Sequence, residues 1–205
     1  MDEIVRQAMA KWPNVPHCYG WLALDARGAF RMRDEAAQAA QAPGEIIRHP
    51  ALLSFIYRNY SHDERGCWYF QNGPQRVYVE LEATPFIART DPVHGFVTHD
   101  GEPLLGIAHA WMTEEGRLVL RAGEKLAMVD DRDLADCLPL LRMQGRPVED
   151  IVLIDWLAEP SGPLQLAIGQ QLLPVQALRS ADLQQLGFVA HPARLAASAC
   201  PAAAS

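Results

Sequence analysis

The chain has 205 residues, 49% of them hydrophobic and 21% charged, a globular composition that excludes a disordered or fibrous protein. The formal net charge of −7 and the pI of about 5.4, with no run of basic residues, exclude the electrostatic footprint of a nucleic-acid binder. No apolar stretch approaches the ~18 residues a membrane span requires, and the acidic start MDEIVRQAMAKW does not read as a signal peptide. Cys18, Cys67, Cys137 and Cys200 are far apart, so there is no CxxC for metal or redox work, and their scatter suits thiols kept reduced. A soluble, cytoplasmic protein is expected.

Residues 2–12 predict a helix capped by Asp2 and stopped by Pro13, with Ile4, Val5, Ala8, Met9 and Trp12 on one stripe. Two strands follow, 19–24 and 29–32, joined by Asp25-Ala26-Arg27-Gly28. Residues 35–41 read as a surface helix or a loop. Pro50 opens a better helix, running to Tyr60 with Leu52, Leu53, Ile56 and Tyr60 inward. The turn Asp63-Glu64-Arg65-Gly66 is of the same kind as the first, as are Thr98 to Gly101 and Thr113 to Gly116. An acidic or hydroxyl residue, two polar residues and a glycine between apolar strands argue for antiparallel hairpins rather than βαβ crossovers.

The second half carries an internal repeat. Leu118, Leu120, Gly123, Leu126 and Val129 have the spacing LxLxxGxxLxxV, and Leu164, Leu166, Gly169, Leu172 and Val175 repeat it. A short helix is expected after each copy, over 130–138 and 180–186. The stretches 19–41 and 67–86 echo the hairpin with different turn lengths. The Pro-, Gly- and His-rich run 90–106 marks a boundary. The expected division is an N-terminal subdomain 1–92, a C-terminal subdomain 93–192 and a mobile tail 193–205.

The hairpin over Cys67 to Phe86 holds the candidate site. In its second strand Val77, Val79 and Leu81 alternate with Arg76, Tyr78, Glu80 and Glu82. Pro74 cannot donate the hydrogen bond that would close an Asn72-Gly73 turn, so a four-residue loop, Asn72 to Gln75, is expected. That register sets Gln71 opposite Arg76 and Phe70 opposite Val77. Trp68, Phe70, Val77, Val79 and Leu81 then form a buried face. Tyr69, Arg76, Tyr78, Glu80 and Glu82 form the other, read either as a binding platform or as a solvated sheet face with local ion pairs.

Glu80 and Glu82 are also the one candidate acid–base pair, because neighbouring carboxylates split their pKa values. His94, His99 and His109 match no standard zinc spacing. GxSxG, P-loop and GxGxxG signatures are missing, so neither a metal nor a cofactor is expected.

Asp63-Glu64-Arg65-Gly66, an aromatic strand, and then VYVELEATPF from Val77 to Phe86 resemble an uncharacterised proteobacterial family of unknown function. In that family an acidic strand ends in Ala-Pro-Phe; here Thr84 stands between Ala83 and Pro85, and Asn72-Gly73-Pro74-Gln75 replaces the family's Thr-Pro-Val-Glu turn. The resemblance implies an α+β fold with repeated hairpin–helix units and a role in signalling or ligand sensing. It implies no catalytic residues.

The chain therefore reads as α+β, with two similar subdomains of antiparallel hairpins and packed helices. The expected function is a non-enzymatic ligand-binding or regulatory module whose partner is a small molecule or a protein. The alternatives are an enzyme using Glu80 and Glu82, or a scaffold that forms a homodimer through exposed strand edges.

Overall fold

The computed structural model describes residues 1–199. The fold is α+β and divides into two units. The first comprises Met1–Ala83 together with the C-terminal segment from Gly187; the second, Thr84–Leu186, is continuous. The expected boundary near residue 92 is thus displaced. The Pro/Gly/His-rich run proves to be the punctuation of a hairpin inside the second unit, where Asp91 Oδ1 accepts from the N–H groups of Val93 and His94.

In the first unit the elements are α1 (Glu3–Lys11), β1 (Cys18–Leu24), β2 (Phe30–Met32), α2 (Glu35–Ala39), β3 (Glu45–Ile46), α3 (Pro50–Arg58), β4 (Tyr60–His62), β5 (Trp68–Asn72) and β6 (Gln75–Leu81). The second contains β7 (Phe86–Asp91), β8 (Gly95–Thr98), β9 (His109–Thr113), β10 (Leu118–Ala122), β11 (Lys125–Val129), α4 (Leu134–Cys137), β12 (Leu141–Met143), β13 (Arg146–Pro147), α5 (Asp150–Ala158), β14 (Leu164–Ile168), β15 (Gln171–Leu178) and a 3₁₀ helix, Ser180–Leu186. Last comes α6 (Pro192–Ala199), which belongs to the first unit. Residues 193–199, expected as tail, are thus helical; 200–205, with Cys200, lie outside the described residues.

The first sheet runs β3-β2-β1-β6-β5-β4 and the second β13-β12-β14-β15-β9-β10-β11-β7-β8. The expected hairpins are present and antiparallel, except that after the turn Thr98 to Gly101 only an isolated bridge, Val97 to Pro103, forms. The sequence did not foretell the parallel joins, β1 with β6, β11 with β7 and β15 with β9. They arise because the second strand of a hairpin lies against the first strand of an earlier one. The order β2-β1-β6-β5-β4 recurs as β8-β7-β11-β10-β9, so the two units share one motif. The hairpin β14–β15 adds a further copy of this join on β9.

The repeat extends to the turns. Gly73, Gly123 and Gly169 hold the first central position of two-residue turns with φ of 58°, 58° and 57°. Positive φ at that position alone is a type II′ turn. The expected four-residue loop after Gln71 is therefore a two-residue one, Gly73-Pro74, with Asn72 paired to Gln75. Proline fits the second central position because its fixed φ is negative and the closing N–H comes from Gln75. The expected register is observed, with Phe70 opposite Val77 and Gln71 opposite Arg76.

The core of the first unit includes Leu22, Leu24, Phe30, Phe70, Val79 and Leu81 of the sheet and Ile56 of α3, all buried. Phe55 meets the Phe70 ring edge-on at 5.4 Å. The stripe on α1 is largely outside: Val5 is buried, whereas Ile4 is 72% exposed. Asp2 caps nothing with its side chain, since its carboxylate is held by Arg58 at 3.2 Å. The region 141–163, over which no element was expected, holds β12, β13 and α5; α5 is apolar on nearly every side, so its sequence lacks the stripe that marks an amphipathic helix. No described helix is long and apolar enough to cross a membrane.

Candidate functional site

The polar side of β6 is not an open platform. Tyr78 is 1% and Tyr69 is 5% exposed, and with Cys67 they form a packed layer that includes Tyr19 and Val189. Tyr19 stacks on Tyr78 at 4.6 Å, nearly parallel. The cover is the returning C-terminal segment: Val189 donates to Gly66 O at 3.0 Å and bridges Cys67, and Leu81 donates to Ala190 O at 2.8 Å. Along the edge of the layer, the Tyr78 hydroxyl donates to Asp63 Oδ2 at 3.1 Å, and Arg65 Nη2 donates to the same oxygen at 2.8 Å. Arg76 lies over the Tyr69 ring, 4.5 Å from its centre.

Burial pushes the Tyr78 hydroxyl above its ordinary value. It would also raise Asp63, but hydrogen bonds from Arg65, the Cys67 N–H and Tyr78 outweigh it and hold this carboxyl below its ordinary value. Tyr69 and Tyr78 thus belong to a closed layer, with Arg76 half-buried at its edge.

Glu80 and Glu82 go elsewhere. Glu80 lies beneath the start of α6, where Oε1 accepts from Ala193 N at 3.0 Å and Oε2 meets His191 Nδ1 at 3.1 Å. This is the stabilising placement of an anion at a helix N-terminus. Glu82 Oε2 accepts from Ala26 N at 3.1 Å. Both oxygens of Glu80 are thus engaged at α6, while Glu82 holds the turn at Ala26.

Both glutamates line a cleft of about 560 Å³ in the first unit. Strand register builds its floor, because Ala23 is the cross-strand neighbour of both Arg31 and Glu80. One side is the segment from Arg33 to Pro43, which carries α2; the other is His191 to Arg194. Arg31 Nε pairs with Asp25 Oδ2 at 2.8 Å, and its Nη1 donates to Gly44 O at 3.2 Å. Arg33 Nε donates to Ala42 O at 3.0 Å, and Gln38 Nε2 to Arg33 O at 3.1 Å. Gly20 admits this packing, since a Cβ there would lie 2.6 Å from Gln38 Oε1.

The structure therefore brings two of the five expected residues, Glu80 and Glu82, to a cleft, closes Tyr69 and Tyr78 into a core layer, and leaves Arg76 half-buried across the Tyr69 ring. Arg31, Arg33, Gln38, His191 and Arg194 were missed. The alternation Phe30-Arg31-Met32-Arg33 does place two arginines on one strand face, and that signal was legible. Nothing local connects His191 with Glu80.

In the second unit a smaller cavity of about 220 Å³ lies between Trp156 and Leu157 of α5 and Leu178 and Arg179. Among the described residues no group of His, Cys, Asp and Glu is arranged to hold a metal ion. His99 Nδ1 accepts from Ile87 N at 3.2 Å, His109 stacks on Trp111, and His94 is exposed.

A family model, DUF2944, described as "Protein of unknown function (DUF2946)", matches residues 1–193. No curated protein matches the chain. The crystal structure of a DUF1285 family protein from Silicibacter pomeroyi DSS-3 is similar, with a TM-score of 0.51 and 17% identity over 86% of this chain and 96% of that one. At that identity the likeness speaks for the fold. Both comparisons lead to families of unknown function, as the resemblance at the Cys67–Phe86 hairpin implied.

Proposed function

The chain belongs to the DUF2944 family of proteins of unknown function, and from that premise we propose that it is a non-enzymatic ligand-binding module of a regulatory kind, with its site in the cleft of the first unit. The observation that carries this reading is that the cleft is built from polar side chains the protein itself holds in place. Arg31 is fixed by Asp25 and Gly44 O, Arg33 by Ala42 O, and Glu80 by α6. Side chains held before a ligand arrives lose less freedom on binding, which favours affinity. A volume of about 560 Å³ lies in the range of small-molecule sites.

Ligand binding stabilises the folded state by mass action, by about 2.7 kcal/mol at a hundredfold excess over Kd. For a chain of this length that is a rise in Tm of roughly 5–10 °C. A thermal-shift screen with small carboxylates, phosphates, sugars and amines is expected to give a shift of that order for one class. Ala23→Phe, which fills the floor, is expected to lose it. No shift with any class, or a shift that Ala23→Phe leaves intact, counts against the reading.

A further inference from the structure

We infer that the ligand of this cleft carries an oxyanion, a carboxylate or a phosphate, and that Arg33 is the residue that recognises it; the inference rests on the cleft being a binding site.

Hydrogen-bond accounting carries it. The acceptors of the cleft are largely spent on the protein. Asp25 Oδ1 accepts from the N–H groups of Arg27 and Ala29, and its Oδ2 from Arg31. Both oxygens of Glu80 are engaged, as is Oε2 of Glu82. The donors are in surplus. A guanidinium donates from Nε and from both Nη atoms. Arg33 uses Nε alone, on Ala42 O, and among the described residues its Nη atoms meet no acceptor and no carboxylate pairs with it. The adjacent carboxylate, Asp34, caps α2 by accepting from Ala37 N at 2.8 Å. Arg31 likewise keeps Nη2 unspent.

Arg31, on β2, and Arg33, the residue just past its end, both line the cleft, and both are half-buried. A half-buried guanidinium without a counter-ion is stabilised by any anion that reaches it, and its planar fork matches a carboxylate or a phosphate in a bidentate way. A cationic or neutral ligand would meet mostly acceptors that are already occupied.

Titration calorimetry and thermal shift with succinate and with inorganic phosphate test this, with glucose and putrescine as neutral and cationic probes. The full chain is expected to bind at least one of the two anions. Arg33→Met is expected to weaken that binding about tenfold or more, as loss of a charged hydrogen bond does. Arg33→Lys, which keeps the charge and the stem, retains part of it and guards against misfolding of the first variant. Arg48→Met removes the same charge from an exposed position outside the cleft and is expected to leave binding unchanged. Equal anion binding by the full chain and Arg33→Met overturns the inference. Binding of glucose or putrescine but of neither anion, lost in Ala23→Phe, also overturns it while leaving the proposed function standing. Absence of any ligand that is sensitive to Ala23→Phe sinks both.

Discussion

Carboxylates in this protein do their structural work at the starts of helices and turns. Val79 and Val129 hold the same place in their hairpins, and the residue after each is acidic. In the first unit Glu80 receives the N–H of Ala193 at the start of α6; in the second, Asp130 receives that of Arg132 at 3.0 Å. Asp130 is fully buried, and hydrogen bonding from the Arg132 guanidinium, against the opposing effect of burial, holds its carboxyl down to about 2 from an ordinary 3.8. A folded value below the unfolded one means the unfolded chain binds the proton first. The stabilisation is therefore complete above the unfolded value and is lost as pH falls from 3.8 toward about 2. Asp130→Asn is expected to lower stability at pH 7 by about 1–2 kcal/mol and to flatten the decline of the thermal midpoint between pH 5 and pH 2. An acid limb as steep as that of the unaltered protein would contradict this.

The four turns that open on Asp or Thr and close on Gly share one geometry. In each, the glycine N–H donates to the carbonyl of the first residue: Gly28 to Asp25, Gly66 to Asp63, Gly101 to Thr98 and Gly116 to Thr113. These turns and the alternation between them were legible because both signals span only a few residues. What covers them was not. Gly66 has a φ of 78°, and a Cβ on it would lie 2.7 Å from Gly187 O, whereas Gly101 has a φ of 85° with nothing within 4 Å. Alanine at either position carries the left-handed penalty of about 1–2 kcal/mol. At Gly66 it must also displace the segment that seals Cys67, Tyr69 and Tyr78. Gly66→Ala is therefore expected to cost measurably more than Gly101→Ala in urea unfolding. It is also expected to speed alkylation of Cys67, a thiol that is buried and raised in pKa by that burial. Equal costs, with Cys67 still protected, would show that the segment yields freely.

At the scale of the whole molecule the chain leaves its first unit after Ala83 and returns at Gly187. The second unit is continuous and has a nine-stranded sheet of its own, with Leu118, Leu120, Leu164 and Leu166 buried. Residues 84–186 expressed alone are expected to melt cooperatively with dispersed amide resonances, because the excised piece keeps its own core. A non-cooperative melt would show that this core is insufficient. Residues 1–83 lack the strand-like segment and α6, and with them one side of the cleft.

By itself the sequence determined most of the hairpins, the register of the one over Cys67 to Phe86, the repeat and the α+β class, because a two-residue period and the chemistry of a turn act over a few residues. It also placed Glu80 and Glu82 on one face. Only the tertiary structure decided what that face became. The tyrosine end was sealed and the glutamate end was shaped into a cleft by residues 187–194, which the sequence separates from β6 by an entire folded unit. Contacts closed across so long a loop leave no local pattern in either partner, so burial there follows from topology and not from composition.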